Sequence, residues 1–246
     1  MVTGASSGIG REVALRLARS GYKVAAAARR LDQLELLAAE AASAGGVIVP
    51  MPGDVTDRKA MDELVSAVEA RHGPVALAFL NVGTFFPDSE KDFGGDGFRM
   101  TFATNVEGTI NLMGPLIRAM RSRGRGQIAV NASVAGYGGL PRSIAYSSSK
   151  AALIAMCEAV KFDLDKAGLT IQVVCPGFVK TPLTDNNDFP MPFLIPVEEA
   201  GKRICDGFER GGFEIAFPRR MAYILKFMNM LPYGLYFALL SKITGR

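Results

Sequence analysis

The sequence predicts an α/β fold in which a doubly wound parallel sheet carries helices on both faces. Three observations indicate it. Short apolar runs alternate with longer stretches of helical spacing, the β-α-β order that parallel sheets require. A glycine-rich turn lies between the first apolar run and the first helical stretch. The hydrophobic share of 49% and the charged share of 21% are those of a globular protein with a substantial core.

The length of 246 residues favours one large domain over two small ones. The net charge of +4 is modest, and no tract of Lys and Arg is long enough to predict nucleic-acid binding. One histidine and three widely separated cysteines predict no metal site, and the apolar surroundings of the cysteines favour reduced thiols in the cytoplasm. Met1 is followed at once by Val2, so we expect no signal peptide. The first strand is short, which leaves open whether the natural chain begins further upstream.

The segment TGASSGIG, residues 3–10, predicts a phosphate-binding turn. Gly4, Gly8 and Gly10 follow a short apolar strand and precede a helix over 11–20, whose apolar residues recur at helical spacing. Glycines let the backbone approach a pyrophosphate, and the free N–H groups of a helix N-terminus bind it. Strand, turn and helix together favour a dinucleotide cofactor.

The second strand, residues 22–28, ends at two arginines. In a dinucleotide fold this position meets the adenosine ribose, where an acidic residue selects NAD and an arginine accommodates the 2′-phosphate of NADP. Ala28 and Arg29 occupy the position, with no acid. The helix dipole disfavours two cations at the start of the next helix, which argues for an anionic partner. The pattern favours NADP(H) over NAD(H).

Apolar runs and Ala/Leu-rich helical stretches continue the alternation, with a helix over 31–44, strand three over 47–50, a helix to about residue 72, and strand four over 75–80. Asp57 is the expected N-cap of the second of these helices, and Asp54 is placed to accept a hydrogen bond from an adenine amino group. A loop over 84–97 precedes a helix over about 98–123. That helix contains Asn105, a poor helix former, so we expect a local kink or a functional need there.

The segment over 126–150 carries the candidate catalytic groups. Residues 127–132 predict a buried strand, and Ser133 lies where it ends, at the edge where open α/β sheets bind ligands. The following helix places Tyr146 and Lys150 on one face. An ammonium beside a phenol lowers the phenol pKa from about 10, so Tyr146 could exchange a proton with a carbonyl or alcohol oxygen that Ser133 positions. The same pair also occurs by chance at exposed helix starts.

With these motifs assembled, the chain resembles the short-chain dehydrogenase/reductase family over about residues 1–217. The similarity rests on motifs in the family's order, namely TGASSGIG, Asp54-Val55, Asn81-Val82-Gly83, the set Asn105, Ser133, Tyr146 and Lys150, and Pro176-Gly177 after a strand over 169–175, followed by Val179 and Thr181. Leu80 and Val82 depart from the family's Asn-Asn-Ala-Gly pattern, so cofactor affinity is expected to change a little. The resemblance implies one Rossmann domain with about seven parallel strands, assembled into homodimers or homotetramers through the helices around 98–123 and 145–167.

The resemblance also implies a role for each catalytic residue. Tyr146 would be the general acid/base, Lys150 would lower its pKa and hold the nicotinamide ribose, and Ser133 would orient the substrate carbonyl. Asn105 would hold a water that links Lys150 to bulk solvent. The implied cofactor-binding residues are Gly4, Ser6, Ser7, Gly8, Ile9, Gly10, Arg29, Asp54, Val55, Asn81, Val82, Gly83, Tyr146, Lys150, Pro176, Gly177, Val179 and Thr181.

Apolar side chains indicate the substrate side. A variable loop over 184–196 includes Phe193 within an apolar run that could close over a substrate as a lid. Together with Tyr137, Leu140 and Ile144, it suggests a hydrophobic carbonyl or alcohol substrate. Lid packing alone would give the same pattern.

Residues 218–246 predict a hydrophobic, basic and helical extension. The cations of this tail are Arg219, Arg220, Lys226, Lys242 and Arg246, and residues 215–246 contain no Asp or Glu. The apolar run over 231–240 is broken by Pro232 and Gly234 and is too short to span a bilayer. Basic residues around apolar and aromatic ones suit a helix lying in a membrane interface, and a tail packed on its own subunit or across a dimer fits equally well.

The sequence therefore predicts an NADPH-dependent oxidoreductase that reduces a hydrophobic ketone or aldehyde, and reversibly oxidises the alcohol, with Tyr146 as the general acid/base. The alternative is a non-catalytic NADP-binding regulatory or scaffold protein on the same fold. The presence of all four catalytic residues argues against that alternative. An epimerase or dehydratase on a related scaffold fits the length and turn pattern less well.

Overall fold

The computed structural model of the chain describes residues 1–185, 187 and 189–245. The strands in this part are β1 (Val2–Thr3), β2 (Lys23–Ala28), β3 (Val47–Pro52), β4 (Leu77–Leu80), β5 (Gly126–Asn131), β6 (Leu169–Pro176) and β7 (Glu214–Phe217). The helices are α1 (Gly8–Arg19), α2 (Leu31–Ser43), α3 (Arg58–His72), α4 (Asp96–Phe102), α5 (Gly108–Arg123), α6 (Ile144–Lys166), α7 (Val197–Arg210), α8 (Arg219–Asn229) and α9 (Tyr233–Thr244).

The described strands form one seven-stranded parallel sheet in the order β3-β2-β1-β4-β5-β6-β7. The chain first builds outward from β1 to β3 and then returns to place β4 on the other side of β1. The order therefore reverses between β1 and β4, and open sheets bind their ligands at such a reversal. The predicted fold class, a doubly wound parallel sheet with helices on both faces, is confirmed.

Two apolar layers hold the helices against the sheet. On one face, side chains of α3, α5 and α6 such as Val65, Leu116 and Leu153 pack in one buried cluster. On the other face, α1, α2 and α7 pack in a second cluster that includes Leu34 and Ile204. Burial of about 25 cal/mol per Å² of apolar surface is the main force that fixes these helices and so fixes the strand ends between them.

The predicted helix over 98–123 is interrupted, as its Asn suggested. The chain forms α4, then a π-helical turn over Ala103–Glu107, and then α5. Asn105 lies inside the turn with no exposed surface. The turn widens the backbone, which π-bulges commonly do at functional sites. The predicted loop over 84–97 is also partly ordered, since it holds a 3-10 turn over Glu90–Asp92 and the start of α4.

The C-terminal segment forms the two helices α8 and α9. Buried Ala222 and partly buried Met221 and Leu225 join α8 to the apolar layer beneath it. Met228 and Tyr236 belong to a small separate cluster that links α8 to α9. Within the described residues, no helix combines the length and the apolar character needed to cross a bilayer. The predicted tail residue Arg246 lies outside the described residues.

Candidate active site

A cleft of about 720 Å³ opens at the carboxyl edge of the sheet, where the strand order reverses. The predicted cofactor residues that line it are Gly4, Ser6, Ser7, Gly8, Ile9, Arg29, Asp54, Val55, Asn81, Val82, Gly83, Tyr146, Lys150 and Thr181. Gly10, Pro176, Gly177 and Val179 lie outside this lining. A smaller cavity of about 120 Å³ at the opposite edge of the sheet is lined by residues such as Met1, Tyr22 and His72, and carries none of the predicted site residues.

The backbone of the predicted phosphate-binding turn requires glycine. Gly4 and Gly8 have φ values of 62° and 54°, in the left-handed region that favours glycine. A β-carbon on Gly10 would overlap the carbonyl oxygen of Gly4 and the side-chain amide of Asn81. The first turn of α1 contains no acidic side chain, so its N–H groups suit an anion.

The predicted adenosine end of the cleft carries two arginines and one acid. Arg29 and Arg30 are both exposed, and an Arg30 guanidinium nitrogen donates to Ser6 Oγ at 2.9 Å. Asp54 Oδ1 accepts from the backbone N–H and the hydroxyl of Thr56, at 3.0 and 2.9 Å. The hydrogen bond from the Thr56 backbone, with a smaller contribution from Arg29, holds the pKa of Asp54 below its ordinary value. The sequence predicted an anionic partner for both arginines but assigned only Arg29 to the cofactor, and the contact of Arg30 with Ser6 was not predicted.

Two asparagines form the floor of the cleft. Asn131 Nδ2 donates to Asn81 Oδ1 at 2.9 Å, and the Asn81 backbone N–H donates to Thr3 Oγ1 at 3.0 Å. Asn131 Oδ1 is buried and makes no hydrogen bond to any described residue. A buried acceptor of this kind fits a donor on a bound molecule. Asn131 was not predicted, although its place at the end of β5, two residues before Ser133, is a usable signal.

Ser133 and Tyr146 meet at the end of β5. Ser133 caps a 3-10 turn over Val134–Tyr137: its Oγ accepts from the Ala135 backbone N–H at 3.1 Å. The same hydroxyl donates to the carbonyl oxygen of Pro176 at 3.3 Å, and its interaction with the Tyr146 hydroxyl lowers the pKa of that phenol against the larger increase caused by burial. The structure thus brings together the two hydroxyls that the sequence assigned to one carbonyl oxygen.

Lys150 is buried beside Tyr146, with 2% of its surface exposed. Its Nζ lies 5.6 Å from the centroid of the Tyr146 ring and donates to the carbonyl oxygen of Asn131 at 2.7 Å. Burial lowers the pKa of Lys150 to about 8. Burial also raises the pKa of Tyr146, and the hydrogen bond with Ser133 offsets part of that increase. In this structure, therefore, desolvation outweighs the lowering of the phenol pKa that we expected from the ammonium.

Asn105 joins the π-helical turn to helix α6, which carries Tyr146 and Lys150. Its Oδ1 accepts from the Thr84 backbone N–H at 2.8 Å, and its Nδ2 donates to Ser149 Oγ at 3.0 Å. Its backbone carbonyl accepts from the Thr109 hydroxyl at 2.7 Å. These bonds tie the segment after β4 to α6, next to Lys150.

Asp88 anchors the start of helix α6 and was not identified from sequence. It is 7% exposed, and its two oxygens accept from the backbone N–H groups of Ile144 and Ala145 at 2.6 and 2.8 Å. These are the first two residues of α6, directly before Tyr146. A carboxylate at a helix N-terminus satisfies donors that the helix itself leaves free. The pairing spans 56 residues of sequence, so no local pattern could reveal it.

The predicted substrate residues do not line the cleft in the described part of the chain. The Tyr137 hydroxyl donates to Glu214 Oε1 at 2.7 Å, and Lys226 Nζ lies 4.9 Å from the centre of its ring. Ile144 begins α6. Leu140 packs against the small cluster of α8 and α9. Tyr137 also hydrogen-bonds the thiol of Cys175, whose pKa burial raises to about 12.

The predicted lid has an ordered base. Phe178 and Phe189 pack edge to face with ring centroids 6.0 Å apart, and Val179 pairs with Ile195 in an isolated parallel bridge. Phe193 has a φ of 61° and is 48% exposed. Within the predicted loop over 184–196, residues 186 and 188 lie outside the described residues.

The sequence profile described as short chain dehydrogenase matches residues 1–190 of this chain. The chain belongs to this family. The relationship confirms the resemblance, and makes the protein an oxidoreductase of a family that uses NAD or NADP as its cofactor.

Individual relatives agree with the assignment to the short-chain dehydrogenases. An uncharacterized oxidoreductase of Myxococcus xanthus is 39% identical over 236 residues, which cover 96% of this chain and 93% of the relative. A putative ketoacyl reductase of Streptomyces coelicolor is 33% identical, over 83% of this chain and 80% of the relative. The crystal structure of an actinorhodin polyketide ketoreductase with NADPH has a TM-score of 0.80 and 26% identity, over 88% of this chain and 94% of that one.

The two residues that depart from the family's Asn-Asn-Ala-Gly pattern lie at the end of β4, beside the cleft. Leu80 is buried in β4, and Val82 lines the cleft while packing against the apolar layer under α3, α5 and α6. The apolar layer holds Val82 in place. Its side chain, larger than the alanine of the family pattern, therefore stays at the wall of the predicted cofactor site.

Proposed function

We propose that this short-chain dehydrogenase is an NADPH-dependent reductase of a hydrophobic ketone or aldehyde, which reversibly oxidises the corresponding alcohol. The observation that carries the proposal is that Tyr146 and Lys150 line the cleft that begins at the glycine turn, with Ser133 beside Tyr146. These groups suit proton transfer at an oxygen atom, and the cleft suits a dinucleotide.

The cofactor would lie along the cleft from the arginines to Tyr146. The N–H groups at the start of α1 would hold its pyrophosphate, Asp54 and Val55 its adenine, and Asn81, Lys150 and Thr181 its nicotinamide half. Bound there, NADPH supplies a hydride to the carbonyl carbon of the substrate.

The chain's own residues supply the proton. The carbonyl oxygen would accept hydrogen bonds from the Ser133 and Tyr146 hydroxyls, which interact with each other in this structure. Tyr146 donates its phenolic proton to that oxygen as negative charge develops on it. The nearby Lys150 ammonium stabilises the resulting phenolate, and Asn105 would hold the water that returns the proton from solvent. In alcohol oxidation each transfer runs in reverse.

The choice of NADPH rests on charge at the end of β2. Arg29 lines the cleft, Arg30 contacts the turn through Ser6, and the two positions directly after the strand hold no acid that could bind a 2′-hydroxyl. Two guanidinium groups match a phosphate better than a hydroxyl.

A hydrophobic substrate follows from the apolar side chains around the catalytic end. Phe85 packs on Tyr146 with ring centroids 5.3 Å apart, and the lid base is made by Phe178 and Phe189. We assign Tyr137, Leu140, Ile144 and Phe193 to the walls that a bound substrate contacts when the loop over 184–196 closes. The putative ketoacyl reductase among the relatives supports an acyl-chain ketone.

For the intact protein we propose a single catalytic domain over 1–217, including the substrate loop, with 218–246 as an extension. We also propose a homodimer or homotetramer through α4, α5 and α6. Met100, Ile110 and Phe162 leave 52%, 47% and 74% of their surface exposed on those helices. The three cysteines are free thiols, which supports a cytoplasmic location.

The alternative is a non-catalytic NADP-binding scaffold. Nothing in folding requires a buried lysine whose charged form is disfavoured by burial, beside a tyrosine and a serine at a ligand cleft. That arrangement favours the enzyme over the scaffold.

The test is NADPH oxidation, followed by absorbance, across ketones and aldehydes of increasing alkyl chain length, repeated with NADH. We expect rates that rise with chain length and that need NADPH. Tight NADPH binding with no turnover of any substrate would favour the scaffold. A preference for short chains would contradict the hydrophobic lid.

A further inference from the structure

The outward surface of α8 and α9 is unusually apolar. Large hydrophobic side chains that are 40% to 80% exposed there are Tyr223, Ile224, Phe227, Met230, Tyr233, Leu235, Phe237, Leu239 and Ile243. We call these nine residues the tail face. Monomeric proteins rarely leave so many neighbouring apolar side chains in water, and such patches mark interaction sites.

The tail is fixed on its own subunit, so the tail face is a defined surface. The Tyr236 hydroxyl donates to the carbonyl oxygen of Gly139 at 2.8 Å. Met228, Tyr236 and Leu240 are buried together against Leu140. One edge of α9 is thus used for packing inward, and the remaining apolar side chains point to the outside.

Positive charge surrounds the tail face. Arg219 and Arg220 are exposed at the start of α8, and Lys242 is exposed near the end of α9. Lys226 is paired with Glu214 at 2.5 Å, so it contributes little net charge. Residues 215–246 contain no acidic side chain, so α8 and α9 themselves carry only cations, and the neighbouring acid Glu214 is paired with Lys226.

We propose that the tail face docks on the surface of an anionic lipid bilayer, in the plane of the membrane interface. Exposed aromatic and aliphatic side chains between cations are the composition that binds there. Tyr233 and Phe237 stack with centroids 5.9 Å apart, a pair whose amphipathic tyrosine suits the headgroup level.

The charge distribution favours lipid over a second copy of the chain. A two-fold dimer brings the same patch of both subunits together. It would set Arg219, Arg220 and Lys242 of each copy around one apolar contact, with no acid in the tail to pair them. Anionic headgroups supply the missing negative charge. This proposal is independent of the proposed reaction.

The test is cosedimentation of the full chain with vesicles of phosphatidylcholine, with and without phosphatidylglycerol. We expect binding to the anionic vesicles that weakens with added salt. The variant Tyr223→Ser/Phe227→Ser/Phe237→Ser should lower the partition constant by about tenfold or more. Arg219→Glu/Arg220→Glu should remove the preference for anionic vesicles.

The matched control is Leu36→Ser, which removes an apolar side chain that is 63% exposed on α2, outside the tail. It should bind vesicles as the natural chain does. NADPH binding by every variant reports that the fold is intact, and it tests the reaction's cofactor site separately from lipid. Equal sedimentation with and without vesicles would overturn the proposal. The proposal would also be overturned if light scattering showed that the natural chain is a dimer and the triple variant a monomer, while both bound vesicles equally.

Discussion

Among single residues, Lys150 has the environment with the clearest consequence for pH. Its ammonium is buried and has the carbonyl oxygen of Asn131 as a hydrogen-bond partner at 2.7 Å. Desolvation of the charged form lowers its pKa to about 8, so the ammonium is present below that pH and is lost above it. The pKa of Tyr146 is raised instead, so the phenol keeps its proton over the same range.

We therefore expect kcat/KM for NADPH, which reports the free enzyme, to fall as the pH rises through about 8. The loss belongs to Lys150, since Tyr146 does not titrate there. The profile is measured with a saturating carbonyl substrate. In Lys150→Arg the guanidinium stays charged, so any residual activity should lack this decrease. A profile of the natural enzyme that stays flat well above that pH would contradict the assignment.

Cofactor choice is a second property that single residues decide. Arg29→Ala should raise the KM for NADPH by about tenfold or more, because one charge-assisted contact to the 2′-phosphate is lost. The KM for NADH should change little. Arg71→Ala, at the far end of α3, serves as the control for a general change in charge. An equal rise in the KM for NADPH and in the KM for NADH would show that Arg29 does not bind the 2′-phosphate.

The residue scale also shows what sequence could and could not predict. Tyr146 and Lys150 are four apart on one helix, so their shared face was predictable from spacing alone. Asn131 and Asp88 act through contacts between distant segments, and their residue types are common in loops and strand ends. No local rule separates them from neighbouring polar residues.

At the scale of helices and strands, the start of α6 depends on a contact from a distant part of the chain. The Ser143 side chain makes no capping hydrogen bond to α6 within the described structure, and the carboxylate of Asp88 takes that place. The cap fixes the turn that carries Tyr146.

Asp88→Ala should lower the free energy of unfolding by about 1–2 kcal/mol, the usual cost of losing an N-cap. It should also lower kcat more than it raises KM for NADPH, because Tyr146 shifts relative to Ser133. Asp88→Asn keeps one acceptor oxygen, so its stability and its kcat should lie between those of the natural protein and those of Asp88→Ala. Denaturant unfolding and steady-state kinetics measure both effects, with exposed Asp96→Ala as the control. Full stability and kcat in Asp88→Ala would refute the role.

The sequence indicated where the helix over 98–123 is interrupted, but not which structure forms at the interruption. Asn105 is a poor helix former, which indicated a kink. The π-helical turn that results is set by bonds from Thr84 and Ser149, which come from other elements. Helix α1 was predicted over 11–20 but begins at Gly8. Its first residues therefore belong to the glycine-rich turn.

The architecture of the whole molecule followed from the alternation of strands and helices, because parallel neighbours need crossover helices. The placement of α8 and α9 did not follow. Their apolar residues recur at spacings that fit packing, lipid or a partner alike, and only the contact of Tyr236 with Gly139 shows which edge faces inward.

Assembly is a whole-molecule property that one exposed side chain should test. Phe162 is 74% exposed on α6, one of the helices that we propose as the subunit interface. Phe162→Glu should convert the assembly to smaller species in light scattering, because a charge cannot be buried there without a partner. Leu36→Glu on α2 is the control. An unchanged mass for Phe162→Glu would exclude this part of α6 from the interface.

The central claim is that Tyr146 donates the proton in a reaction that needs bound NADPH. The most direct measurement is turnover and NADPH affinity of Tyr146→Phe, which removes one hydroxyl and keeps the ring packed on Phe85. We expect an unchanged dissociation constant for NADPH and a kcat lower by roughly a thousandfold, while exposed Tyr22→Phe stays fully active. Turnover by Tyr146→Phe at the rate of the natural enzyme would contradict the mechanism.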